Sequence, residues 1–166
     1  MAELELTRSR DDRRLYELAG VGTLRLGGLF SRGATAEAGT AAWSFDRRGF
    51  WQTTMEATDA AGTVVGSFDP RGLKRGGLLR WGGRDFVLRP ASRWKERYAL
   101  ADHGDRELAV LDGKGWGKRP VKVTVEDASV VEPGLLLFAA FVVRGLAEDA
   151  SSAAGWASAA TASTAG

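Results

Sequence analysis

Gly134-Leu135-Leu136-Leu137-Phe138-Ala139-Ala140-Phe141-Val142-Val143 is apolar without a break, between Glu132-Pro133 and Arg144-Gly145. Leu and Ala favour helix over strand, and proline suits the first turn of a helix. Ten uncharged residues are too few to cross a bilayer, which takes about 20. A helix that is apolar on every side must be covered on every side. Leu135, Leu136, Leu137, Phe138, Phe141 and Val142 are therefore the expected core of whatever surrounds them.

What precedes this run reads as short strands punctuated by glycine. Strand candidates are Leu15 to Phe30, Ala34 to Ala38, Ala42 to Phe45, Phe50 to Thr58 and Gly62 to Phe68. The clearest hairpin is Leu78 to Leu88, because Gly82-Gly83 supplies the positive φ of a two-residue primed turn. That loop sets Trp81 opposite Arg84, Arg80 opposite Asp85 and Leu79 opposite Phe86. Alternation then gathers Leu79, Trp81, Phe86 and Leu88 on one face, with Arg80, Asp85 and Arg89 on the other. In the next strand Trp94, Glu96, Tyr98 and Leu100 share one parity and Arg93, Lys95 and Arg97 the other. A turn at His103-Gly104-Asp105 leads to Glu107–Leu111, with Leu100 expected beside Leu108. Val121, Val123 and Val125 alternate with Lys122 and Thr124 in a further strand. Asp59-Ala60-Ala61-Gly62 and Asp102-His103-Gly104 echo one another as Asp-led turns between strands. In such a chain the apolar helix belongs inside a barrel or between sheets.

The ends differ from the middle. Residues 1–14 are charged and read as a mobile lead-in. Residues 15–149 form one domain, with its helix expected at about 133–148. Residues 150–166, rich in Ala, Ser, Thr and Gly, read as a disordered tail in which Trp156 is the anomaly. The lead-in lacks the apolar segment of a secretory signal.

Composition narrows the chemistry. The chain has 166 residues and no cysteine, which excludes disulfides, thiolate catalysis and Cys-type metal sites, and its single His excludes a His-pair site. No cofactor is expected. Charges nearly cancel, with 23 Lys+Arg against 21 Asp+Glu, so the isoelectric point of 9.2 says little about nucleic acid. The preference for Arg over Lys, together with abundant Ala and Gly, fits a GC-rich bacterial genome. Absence of Cys fits the cytoplasm.

Three residue sets bear on the family: the turn Thr58-Asp59-Ala60-Ala61-Gly62-Thr63-Val64-Val65-Gly66, the strand Arg93-Trp94-Lys95-Glu96-Arg97-Tyr98-Ala99-Leu100-Ala101-Asp102, and the Pro133–Leu146 helix. Over residues 15–148 the pattern resembles the tubby-like superfamily, in particular LURP-one-related and scramblase-like proteins and their small bacterial relatives. The resemblance implies a mainly β fold, a closed antiparallel β-barrel of about a dozen strands threaded by a buried hydrophobic C-terminal helix. Tubby proteins bind phosphoinositide headgroups through basic side chains, but no residue of that pocket is matched here. The Cys-rich segment of scramblases is missing, as is an acidic calcium loop.

No catalytic constellation stands out. Gly113-Lys114-Gly115-Trp116-Gly117-Lys118-Arg119-Pro120 is too short for a phosphate-cradling loop, and Arg119 replaces the required hydroxyl. A strand connection with Trp116 tucked against the barrel is the better reading. His103, beside Asp102 and Asp105, has no serine brought to it by the pattern. Asp59, Asp102, Asp105 and Asp112 read as turn formers. The remaining binding signal is basic: Arg93, Lys95 and Arg97 on one strand face, joined by Arg80 and Arg89. Such a row suits phosphate-bearing partners, foremost an anionic phospholipid surface and secondarily nucleic acid. The expectation is a non-enzymatic binding or scaffold module, cytoplasmic and peripheral to the membrane. Nucleic-acid binding is the alternative and a small hydrolase-like enzyme a more distant one. The protein partner is left open.

Overall fold

The computed structural model describes residues 1–28, 31–49, 54–70, 75–92, 96–114, 116 and 119–162, with only the backbone of 154 and 156–162. Twelve antiparallel strands follow one another around a closed barrel: β1 Ala2–Arg8, β2 Leu15–Leu18, β3 Gly22–Leu26, β4 Ala34–Ala38, β5 Ala41–Arg48, β6 Thr54–Asp59, β7 Val64–Pro70, β8 Gly77–Trp81, β9 Arg84–Pro90, β10 Arg97–Asp102, β11 Glu107–Asp112 and β12 Val121–Val125. β1 pairs with both β2 and β12, so the sheet has no edge. α1, Pro133–Ala162, follows.

Period-two alternation builds the wall. Leu6, Tyr16, Leu18, Leu24, Phe45, Met55, Phe68, Leu79, Phe86 and Leu88 are buried inward. Glu3, Glu5, Glu17, Arg25, Glu37 and Arg80 occupy the intervening exposed positions. An apolar inside and a charged outside is the reverse of a lipid-facing barrel. Among the described residues, no helix is long and apolar enough to cross a membrane.

The space inside belongs to α1. Every residue from Gly134 to Val143 is buried, nearly three turns with no face left to water. The helix touches β3, β4 and β5 as well as β7 and β11, on different sides of the barrel. Phe138 packs on Phe45 and Trp81 at centroid distances of 5.1 and 5.8 Å, and Phe141 lies 5.5 Å from Phe45. Leu135, Leu136, Leu137 and Val142 complete the sheath, each at most 2% exposed. At its entry the Glu132 carbonyl accepts from the Leu136 N–H at 3.1 Å, while its carboxylate accepts from Trp81 Nε1 at 3.0 Å.

The Gly82-Gly83 hairpin has the expected pairing, with φ of +56° and +76° at the two glycines. The two Asp-led turns are alike in atomic detail. Asp59 Oδ1 accepts from the N–H groups of Ala61 and Thr63, and Asp102 Oδ1 from those of Gly104 and Arg106. A bulge precedes each turn, at Ala57/Thr58 and Leu100/Ala101.

Several expectations need correction. Residues 2–8 are a barrel strand: Leu4 and Leu6 alternate with Glu3, Glu5 and Thr7, and backbone pairing to two neighbours holds them. Leu15–Phe30 divides into β2 and β3 around a turn at 19–21. Leu100 faces Ala109 because the bulge shifts the register by one. Asp112 ends a strand and accepts from Arg97, so it forms no turn. The helix continues to Ala162, and 150–162 is helical where a disordered tail was expected. The Trp156 side chain lies outside the described residues.

Candidate functional site

The up-and-down order sorts the connections by length. At the end where α1 enters, strands are joined by two to four residues; at the end where it leaves, by five to eight. Thirty helical residues span about 45 Å, while strands of four to eight residues span about 13–27 Å. The helix therefore overshoots the barrel and emerges among the long connections.

There it forms one wall of a cleft of about 1030 Å³. The β1–β2 connection contributes Arg13 and Arg14, the β3–β4 connection Ser31 and Arg32, and the β11–β12 connection Lys114 and Trp116. Arg47 comes from the end of β5. It has the inward parity of Trp43 and Phe45, so a cation takes the last inward position of that strand. Its side chain is only 9% exposed. Two helix carboxylates meet it: Nη1 lies 3.3 Å from Glu148 Oε2 and Nη2 donates to Asp149 Oδ1 at 2.8 Å. Glu148 also accepts from Arg144 Nη2 at 2.8 Å. Gly145 leaves room for this packing, since a Cβ there would approach Met55 Cε to 2.6 Å and Arg47 Cζ to 3.4 Å.

Arg144 lies over the Trp116 ring, 5.5 Å from its centroid, and Trp116 stands edge-on to Tyr16 at 5.0 Å. This tucks Trp116 against the barrel as expected. Two shielded N–H groups of the lining residues, Arg47 Nε and Trp116 Nε1, have no hydrogen-bond partner among the described residues. No ion pair among the described residues engages Arg13, Arg14, Arg32 or Lys114, while the cleft's third acid, Glu96, comes from the β9–β10 connection. The lining is rich in donors. The cations among its described residues suit an oxyanion.

The basic residues singled out in the sequence are arranged differently. Arg80 Nε donates to Asp85 Oδ1 at 2.7 Å, and that bond holds the Asp85 carboxyl below its ordinary range. Arg97 Nε donates to Asp112 Oδ1 at 2.6 Å, and Arg89 pairs with Asp105. Each is an exposed or half-exposed pair on the outer wall, where solvent screens the attraction. Arg93 and Lys95 lie outside the described residues; Arg97 opens β10 at Asp112's side. His103 sits in a depression at the short-turn end with Arg84, Asp85, Phe86, Asp102 and Gly104, and no hydroxyl side chain lines it. Among the described residues no cluster of three His, Cys, Asp or Glu could hold a metal ion.

Sequence reasoning passed over Arg47, Arg144 and Trp116 as a set. The signal was present in Trp43-x-Phe45-x-Arg47, where a charge continues an inward apolar parity. No protein-family model, curated protein or solved structure matches the chain.

Proposed function

We propose that this protein is a non-enzymatic binding module that engages anionic phospholipid surfaces with the helix-exit end of its barrel, and that it belongs with the tubby-like proteins its strand pattern resembles. The observation that carries this reading is the division of charge between the two ends. Among described residues, the long connections hold Arg10, Arg13, Arg14, Arg32, Arg75, Lys114 and Arg119 against Asp11, Asp12 and Glu96. The short turns and the entry to the helix hold Asp105, Glu126, Asp127 and Glu132 against Arg106. A nearly neutral molecule is thus strongly polarised, and an anionic surface would orient it end-on. Each basic residue brought close to such a surface contributes about 1 kcal/mol.

Cosedimentation with phosphatidylglycerol vesicles at low ionic strength is the test, with phosphatidylcholine vesicles and single-stranded RNA run beside it. Binding to the anionic vesicles alone, lost on adding salt, is the expected result. Replacing Arg13, Arg14 and Lys114 with Gln should weaken it by about a hundredfold, since three such contributions are removed. Replacing Arg80 and Arg89 with Gln should leave it unchanged. Failure to bind anionic vesicles at low salt overturns the reading, and tighter binding to RNA replaces it with the nucleic-acid alternative.

A further inference from the structure

The two ends of the barrel carry opposite charge, and at each end charge is left over once the ion pairs within the chain are made. At the helix-exit end Arg13, Arg14, Arg32 and Lys114 line the cleft, exposed and outside every ion pair of the described residues. At the opposite end the connection from β12 to α1 carries Glu126, Asp127 and Glu132, which are likewise exposed and outside those ion pairs. The described cations at this end are Arg106, which pairs with Asp102, Arg84, which lies over the Phe86 ring, and the Met1 amine. The acidic turn is held in one shape. The Val130 N–H donates to the Asp127 carbonyl at 3.1 Å, and Asp127 Oδ1 accepts from the Ser129 N–H at 3.0 Å and from its hydroxyl at 2.5 Å. Those bonds occupy Oδ1 alone and keep the carboxyl ionised.

We propose that the protein associates with itself head to tail, the acidic turn at Glu126 and Asp127 of one copy seating in the helix-exit cleft of the next, against Arg13, Arg14, Arg32 and Lys114. A second copy is the occupant that the charges select, because unpaired acids and unpaired cations stand on the same chain, each gathered at its own end. At about 1030 Å³ the cleft has room for a turn of chain as well as for a small ion. The turn is already folded by its own hydrogen bonds, so docking costs little ordering. The two patches differ and lie at opposite ends of the barrel, which makes the contact heterologous. Each pair of copies then keeps one free turn and one free cleft, and further copies add in an open chain. Both sides are solvated, so the contact is weak and is screened by salt. It shares the basic end with the membrane reading without resting on it: an anionic surface that takes up the cleft releases the turn, and the two occupants exclude one another.

Sedimentation velocity of the full chain at low ionic strength is the test. The weight-average mass should rise steadily with protein concentration, pass beyond that of a dimer, and return to the monomer on adding salt. Two variants each break one half of the contact. Glu126→Lys/Asp127→Asn alters the turn, and Arg13→Gln/Arg14→Gln/Lys114→Gln alters the cleft. Each alone should associate about tenfold more weakly or less still, since charge complementarity is lost on one side. Mixed together, the two should form a one-to-one dimer and nothing larger, because the intact cleft of the first takes the intact turn of the second and the remaining turn and cleft are both broken. Where Asp127→Asn lowers the melting temperature, Glu126→Lys alone takes its place, at an exposed side chain. A wild-type chain that stays monomeric at low salt, a turn variant that associates as the wild type does, or a mixture that fails to dimerise overturns the proposal. So does association that stops at a dimer, the mark of a twofold contact elsewhere. The turn variant should bind phosphatidylglycerol vesicles as the wild type does; loss of that binding would place the turn in the membrane site and overturn the proposal as well. A monomeric wild type that still binds vesicles refutes the head-to-tail contact and leaves the membrane reading intact, and association without vesicle binding does the reverse.

Discussion

Gly134 occupies the point where α1 passes between two tryptophans. A Cβ there would collide with Trp81 Cζ2 and approach Trp43 Cζ2 to 2.7 Å. Trp81 has no slack, being 5% exposed, donating to Glu132 and packing on Phe138, and the half-buried Trp43 stands edge-on to it at 5.8 Å. Gly134→Ala should therefore lower stability by about 1–3 kcal/mol, the range for overpacking a filled core, despite the higher helix propensity of alanine. Gly155 belongs to the same helix and has nothing within 4 Å of a built Cβ. There Gly→Ala should hold or raise stability, by up to about 1 kcal/mol. Thermal unfolding of the two variants should give shifts of opposite sign; a destabilised Gly155→Ala or an unchanged Gly134→Ala would contradict this packing. The same residue-level view shows why the cleft escaped notice. Arg47 sits in Phe45-Asp46-Arg47-Arg48, where three consecutive charges look like surface, and only parity singles out the middle one. Trp116 lies among glycines in a connection, and its partner Arg144 is nearly thirty residues away in sequence. Sequence distance hides what the barrel brings together.

At the scale of elements, α1 determines the core. Phe138 is fully buried among Phe45, Trp81 and the barrel wall. Phe138→Asp would put a carboxylate where no donor is free to meet it, and burying an unpaired charge costs more than a domain's usual margin. The expected outcome is loss of the folded state, read as insoluble expression or absent near-ultraviolet circular dichroism. Phe138→Leu should fold with a lowered melting temperature, which separates the charge from the lost volume. A soluble, cooperatively melting Asp variant would place the helix outside the barrel. The start of this helix was legible because proline and an uncharged apolar run coincide there. Its continuation was not: beyond Asp149 the chain is small and polar, a composition shared by mobile tails and by alanine-rich helices. Strands with Gly or Asp turns, such as β4, β8, β9 and β12, were legible from alternation. β1 was hidden by its own outward face, since Glu3, Glu5 and Arg8 in a strand with one fully buried residue resemble a charged terminus. Its pairing with β12 joins residues more than a hundred positions apart, which no local pattern announces.

For the whole molecule, turn carboxylates govern how stability varies with acid. Asp12 is lowered by the Arg14 backbone N–H, Asp85 by its hydrogen bond from Arg80, Asp102 by the Arg106 N–H, and Asp127 by the Ser129 hydroxyl. In each case the folded chain releases its proton more readily than the unfolded one. Their stabilisation is therefore complete above the unfolded carboxylate range, near pH 4, and is lost as pH falls through the lowered folded values. At the other extreme, burial raises the Tyr98 phenol. The unfolded chain ionises this tyrosine near pH 10 while the native state keeps the proton, so stability falls as pH climbs from about 10 through the raised folded value. Urea midpoints measured across pH should accordingly show a plateau as far as these five groups are concerned, bounded by an acid limb below about pH 4 and an alkaline limb above about pH 10. Asp102→Asn combined with Asp127→Asn should lower the plateau and flatten the acid limb, because the protons those residues would take up are gone. Tyr98→Phe should remove that residue's share of the alkaline limb and leave the acid one untouched. The three carboxylates Asp85, Asp102 and Asp127 belong to the hairpins and the helix entry at the short-turn end, whereas the cleft lies at the opposite end. Asp12 lies at the cleft end beside Arg13 and Arg14, so an anion bound there acts on its share of the acid limb; a movement of the limb beyond that share, absent from Asp102→Asn/Asp127→Asn, would show that the two ends are not electrostatically independent. Independence is expected, because the barrel separates them by more than the roughly 8 Å over which exposed charges act on one another at physiological salt.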